Sequence, residues 1–68
     1  MIAKGKYRHF KGSVYEVIDE VTHSENLEVY VLYCPVDGDG RLWVRPKVMF
    51  EEEILVEGIK VQRFKKID

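Results

Sequence analysis

Apolar and polar residues alternate with period two along most of this chain, and no window of useful length places apolar residues at i, i+3, i+4 and i+7. The pattern predicts strands. Residues 6–10 form the first, with Lys6 and Arg8 on one face and Tyr7 and His9 on the other, and Lys11-Gly12-Ser13 supplies a turn. Residues 13–22 form the second, with Tyr15 and Val17 sharing a face against Glu16. The alternation breaks at Ile18-Asp19-Glu20-Val21, which predicts a bulge or a sharp bend. His23-Ser24-Glu25-Asn26 then has the polarity and length of a hairpin loop. Residues 27–34 are the most regular stretch: Leu27, Val29, Val31 and Tyr33 fall on one face, and Glu28, Tyr30, Leu32 and Cys34 on the other. That second face is itself partly apolar, so the strand is expected to be central or covered on both sides. Pro35 ends it, and residues 36–40 make a flexible turn with two glycines.

Residues 42–45 read as a short strand stopped at Pro46, because proline cannot donate to a ladder. Residues 47–50 have the length and composition of one helical or 3₁₀ turn, with Met49 and Phe50 as the plug of a core. Residues 54–56, a turn at Glu57-Gly58 and a last strand over 59–64 follow, with Lys65-Lys66 closing the chain. The predicted fold is all-β: one domain over residues 1–68, a small antiparallel SH3-like barrel or roll of about five to six short strands. Fold analogy of this kind carries no function.

Size sharpens the problem of stability. A chain of 68 residues buries a modest fraction of its surface, so a few large side chains must carry the core. Four Tyr, three Phe and one Trp are available for it. Cys34 is the only cysteine, which excludes an internal disulfide and a paired-cysteine zinc site, and points to a reducing cytosol. The start MIAKGKYRHF has no apolar run resembling a signal peptide, and the apolar stretches are too short to span a bilayer, so a cytoplasmic protein with no membrane role is expected.

Net charge is −1, yet it is segregated: +4 over residues 1–12, −7 over 13–40, +3 over 41–50, −4 over 51–59 and +3 over 60–68. Were the basic segments to meet, one side of the fold would be cationic. Otherwise the charges simply solvate the surface.

Few residues suggest chemistry. His9 and His23 with Glu25 are candidates for metal or acid/base work, but their spacing matches no metal signature, and a hydrogen-bonded wall histidine and a loop-capping histidine are the simpler readings. Ser24 beside His23 points elsewhere on any extended backbone, which argues against a serine hydrolase. Cys34 lies in an apolar strand without a basic neighbour and reads as a small hydrophobe. Asp37-Gly38-Asp39-Gly40 lacks the later ligands of a calcium loop, residue 48 being Val, and the scattered glycines form no phosphate cradle. No cofactor is expected.

The remaining constellation is aromatic and basic. In RLWVRPKVMF, residues 41–50, Trp43 and Arg45 point one way while Leu42, Val44 and Pro46 point the other. If the Leu42 and Val44 face is the core, Trp43 and Arg45 form an exposed ledge suited to stacking bases or binding a peptide, with Arg63 and other cations around it. If instead Trp43 is buried or half-buried, Arg45 is expected to pair with a carboxylate such as Glu16 or Glu28.

The runs GKYRHFKG at residues 5–12, YEV at 15–17, HSE at 23–25, LWVRP at 42–46, MF at 49–50 and RF at 63–64 resemble a family of short bacterial proteins, domain of unknown function 1653. Asn26 stands where that family usually has threonine, and Gln62 where it usually has proline. The resemblance implies a small SH3-like β-roll and a bacterial cytosolic protein, and it implies no activity.

Two functions remain in play. One is a non-catalytic binding module using Trp43, Arg45, Tyr7, His9, His23, Glu25 and Arg63, for a single-stranded nucleic acid or for a protein segment seated around Tyr7, Tyr30 and Trp43. The other is an enzyme or small-molecule sensor with a pocket around His9, His23, Glu25, Tyr33 and Arg45, which requires the two histidines and Arg45 to converge. A monomer, or a weak homo-oligomer joined through a strand edge, is the expected assembly.

Overall fold

The computed structural model describes residues 1–68. Its elements are β1 (Gly5–His9), β2 (Val14–Thr22), β3 (Val29–Pro35), β4 (Trp43–Pro46), α1 (Lys47–Phe50), β5 (Glu53–Val56), β6 (Ile59–Gln62) and β7 (Phe64–Lys66). The fold is all-β and antiparallel. One sheet runs in the order β4-β3-β2-β1-β7, and β5 and β6 form a separate hairpin.

The inner face of the sheet is an aromatic cluster. Tyr7, Val17, Val31, Tyr33, Phe50 and Phe64 are buried together with Ile2, and Tyr15 packs against them. Phe50 and Phe64 stack with centroids 4.0 Å apart, and Tyr33 meets both edge-on at 5.4 and 5.7 Å. Such pairs add about 0.5–1.5 kcal/mol each beyond the area they bury. The single turn α1 turns Phe50 inward as a plug, leaving it 1% exposed. Met49, expected beside it in the core, is exposed, because successive residues of one helical turn cannot both face inward. The sheet is curled enough that Arg45 of β4 lies 5.5 Å from the Phe64 ring of β7, although these strands are its two opposite edges. The two edges therefore approach through side chains rather than backbone hydrogen bonds.

The break in alternation at residue 18 is a bulge. Pairing between β2 and β3 shifts from Val17 opposite Tyr33 to Asp19 opposite Leu32, leaving Ile18 unpaired. Beyond it the faces exchange, so Glu20 sits opposite Val31 and points to the inner side. Its carboxylate accepts the Ile2 N–H at 2.5 Å and pairs with Lys47 at 2.8 Å, which ties the N-terminal segment and α1 to β2. Those partners hold Glu20 below the usual carboxylate range and raise Lys47 in turn.

The strand over residues 29–35 is central, as one of the two expected alternatives had it: β4 and β2 pair with it on either side, and its Tyr30, Leu32 and Cys34 face is half-buried. Two expectations change. The third strand begins at Val29, not at residue 27: Leu27 has φ 61° and is 72% exposed, so it belongs to the loop. The last strand divides at Arg63. There the backbone leaves β5, with Glu53 opposite Gln62, and joins β1, with His9 opposite Phe64. The Arg63 N–H donates to the Glu52 carbonyl at 3.1 Å while its carbonyl accepts the Phe10 N–H at 3.0 Å. The chain thus has seven strands rather than about five to six.

Candidate functional site

The register of β4 decides where Trp43 and Arg45 point. Trp43 lies opposite Tyr33 and Arg45 opposite Val31, so both share the inner face with buried residues, and Leu42 and Val44 are outside. Trp43 is nonetheless 41% exposed, because β4 is an edge strand and only one flank of the indole is covered. That flank meets Tyr15 at 5.8 Å and Tyr33 at 6.0 Å between centroids. Trp43 is therefore the rim of the core, neither a ledge standing on the outer surface nor a fully buried ring.

Arg45 donates from Nε to the Tyr33 hydroxyl at 3.2 Å and lies against Phe64. The expected carboxylate partner is absent: Glu16 faces outward opposite Cys34, and Glu28 precedes β3. His9 packs edge-on to Phe64 at 4.9 Å and to Tyr15 at 6.3 Å, and its Nδ1 accepts the Lys11 N–H at 3.2 Å. Arg63 pairs with Glu52 at 2.6 Å through one terminal nitrogen, while its Nε is buried with no hydrogen-bond partner. A buried donor of that kind is uncommon and carries a free-energy cost. Thus His9 and Arg45 converge on Phe64, with Tyr15 and Trp43 beside them and Arg63 close enough to act on His9.

His9 is held below its ordinary value of 6.5, first by burial and then by Arg45, Arg63 and Lys11. The folded chain therefore keeps it neutral where the unfolded chain takes up a proton. Below 6.5 the unfolded state binds more protons, so stability is retained above that pH and declines as pH falls toward the depressed folded value. Urea midpoints measured between about pH 5 and pH 8 should fall on the acid side, and His9→Gln should flatten that part of the profile. An unchanged profile in His9→Gln would show that His9 does not carry the effect.

The other candidates lie elsewhere. His23 and Glu25 follow the far end of β2, whose nine residues separate them from His9 by roughly 25–30 Å. The His23 Nδ1 accepts the N–H groups of Glu25 at 3.2 Å and Asn26 at 3.4 Å, so it organises its own loop. A pocket uniting His9, His23, Glu25 and Arg45 is not formed. Tyr7 is in the core, its hydroxyl donating to the Ala3 carbonyl at 2.7 Å, and burial followed by Glu51 raises its phenol above the ordinary value. Tyr30 is on the outer face, so Tyr7, Tyr30 and Trp43 line no common groove. Tyr15 and Phe64 are the members of the cluster that sequence reasoning did not single out. The signal for Tyr15 was its period-two relation to Val17, and that for Phe64 was its place beside Arg63. No group of three or more His, Cys, Asp or Glu side chains is arranged to hold a metal ion.

The sequence profile of the protein family of unknown function DUF1653 matches residues 5–66. The chain belongs to that family. A crystal structure of a DUF1653 protein from Bordetella bronchiseptica is similar to it, with a TM-score of 0.87, 24% identity, and coverage of 97% of this chain and 87% of that one. At that identity the likeness establishes the fold alone. No curated protein matches the chain. No helix of this DUF1653 chain is long and apolar enough to cross a membrane.

Proposed function

We propose that this DUF1653 chain is a non-catalytic binding module of the bacterial cytosol, which holds a protein segment against the rim formed by Trp43, Tyr15 and Arg45. The supporting observation is the half-open indole of Trp43 on the same face as Arg45, a guanidinium that makes a hydrogen bond to Tyr33 and no ion pair. An aromatic plane beside an arginine is the composition that carries most of the energy in protein recognition. Charge favours a protein segment over a nucleic acid. Lys47 and Arg63 are already paired with Glu20 and Glu52, which leaves Arg45, with Lys11 beyond His9, as the cations near this rim that make no ion pair. A phosphate backbone needs several such cations.

Trp43 is the only tryptophan, so its fluorescence reports this surface directly. Iodide should quench it in the free protein. Peptides selected from a displayed random library on the wild-type chain should protect it from iodide, and Trp43→Ala and Arg45→Gln should lose them. A blue-shifted emission insensitive to iodide would overturn the reading. So would a library that yields no peptide, or saturable binding of a labelled single-stranded RNA that weakens steeply with salt.

A further inference from the structure

The edge of the sheet opposite β4 carries a second feature, which does not rest on the Trp43 reading. β7 has only one hydrogen-bonded neighbour, β1. The Phe10 N–H donates to the Arg63 carbonyl and the Ile67 N–H to the Lys6 carbonyl. Between those two rungs lies the pair Arg8 and Lys65, so the N–H and C=O of Lys65 face β1. By alternation, the N–H and C=O groups of Phe64 and Lys66 face the free edge.

Two clefts of about 390 Å³ each flank this edge, and both are bordered by Gln62 and Lys65. One is lined on the inner side by Ile2, Tyr7, Phe50, Phe64 and Lys66. The other is lined chiefly by residues of the outer side, Arg8, Phe10, Val61, Lys65 and Ile67, and is also bordered by His9. The division follows the pleat: Phe64 and Lys66 share one face, and Lys65 and its partner Arg8 the other. A strand laid along β7 would therefore send alternate side chains into the two clefts.

The clefts differ in what they suit. The inner one is floored by four apolar side chains and also holds Glu51. The outer one brings Arg8 and Lys65 together without an acidic residue. We propose that the free edge of β7 accepts an extended segment of alternating apolar and acidic residues as an added strand. Its apolar side chains lie opposite Phe64 and Lys66, and a carboxylate lies opposite Lys65 beside Arg8. Main-chain hydrogen bonds supply affinity in such strand addition, and alternate pockets supply specificity. Lysines on an edge strand also discourage self-pairing. Two β7 edges paired with each other would bring their lysines together, so the charge that rejects a second copy selects an acidic segment.

The probe is the peptide acetyl-Glu-Val-Glu-Val-Glu-amide, followed by ¹⁵N-resolved NMR and hydrogen exchange on the full chain. Saturable shifts and slowed exchange are expected at the Phe64 and Lys66 amides, with the Trp43 indole signal unmoved. N-methylation of the valines, which removes the N–H groups aimed at β7, should abolish them, and a Lys-Val-Lys-Val-Lys peptide should not bind. Lys65→Glu should weaken binding by about tenfold or more, with Lys65→Gln intermediate, and Trp43→Ala should leave it unchanged. Absence of shifts up to about 5 mM peptide would overturn the proposal. Equal binding of the N-methylated or lysine peptide would also overturn it, as would shifts at the same amides that depend on protein concentration alone.

Discussion

Phe64→Ala is expected to leave the chain largely unfolded near room temperature. Phe64 is 5% exposed and stacks on Phe50, and it receives the edges of Tyr15, Tyr33 and His9 while Arg45 lies against it. Truncating a buried phenylalanine costs about 3–5 kcal/mol. Small domains sit toward the low end of the 5–15 kcal/mol range of native stability, so the loss consumes most of what is there. The melting temperature followed by circular dichroism should fall by roughly 12–40 °C, at about 4–8 °C per kcal/mol for a domain of this size. A melting point within about 5 °C of wild type would show that the stacked rings are not the centre of the core. The same substitution should also release Arg45 and His9, since both rest on this ring.

Gly5→Ala is expected to be the second most damaging change, although it adds one methyl group. Gly5 has φ +129°, a conformation that side chains rarely adopt, and a Cβ there would lie 2.5 Å from the Asp68 carbonyl oxygen and 2.9 Å from the Lys66 Nζ. The lysine can move. The backbone of the C-terminal segment is less free, because the Ile67 N–H donates to the Lys6 carbonyl at 2.9 Å, one residue along β1. Strain alone costs about 1–3 kcal/mol at such a position, and separation of β7 from β1 adds to it. Gly58 is the natural control. Its φ is +80° with no atom within 4 Å of the added carbon, so Gly58→Ala bears the strain without the collision. Urea midpoints should order wild type above Gly58→Ala above Gly5→Ala; equal midpoints for the two variants would mean that the C-terminal segment yields freely.

Local chemistry explains which elements were legible along the chain. Pro46 after a short apolar run predicts a strand end followed by one helical turn, and β4 and α1 fall there because proline ends a ladder wherever it sits. Glu57-Gly58 predicts a two-residue hairpin turn, and both residues have positive φ, 52° and 80°, as a type I′ turn requires. The disruption at Ile18 is equally local. Its consequence was not, because the exchange of faces that turns Glu20 toward Ile2 and Lys47 depends on the register with β3. Likewise nothing in the sequence between residues 59 and 66 marks Arg63 as the point where one strand becomes two. The change of partner from β5 to β1 is a tertiary event.

Charge and the candidate site divide in the same way. The basic termini come together as β1 and β7, and although the basic 41–50 segment forms the opposite edge of the sheet, the curl brings Arg45 to Phe64, so that a cation from each of the three segments, Lys11, Arg45 and Arg63, acts on His9. Period-two alternation was enough to place Trp43 with Arg45 on one face and Val44 on the other. It could not say which face is inner, because that depends on pairing with Tyr33 and Val31 thirty or more atoms away along the chain.

By itself, then, the sequence determined an all-β chain with its turns, its bulge and its helical plug, since these follow from residue-by-residue conformational preference and apolar spacing, while its motif runs carried the likeness to its family. Only the tertiary structure decided that Trp43 is a half-open rim, that His9 and Arg45 meet at Phe64 while His23 does not, and that β7 presents a free edge between two clefts. Those facts rest on register and curl, which arise from the simultaneous packing of residues distant in sequence.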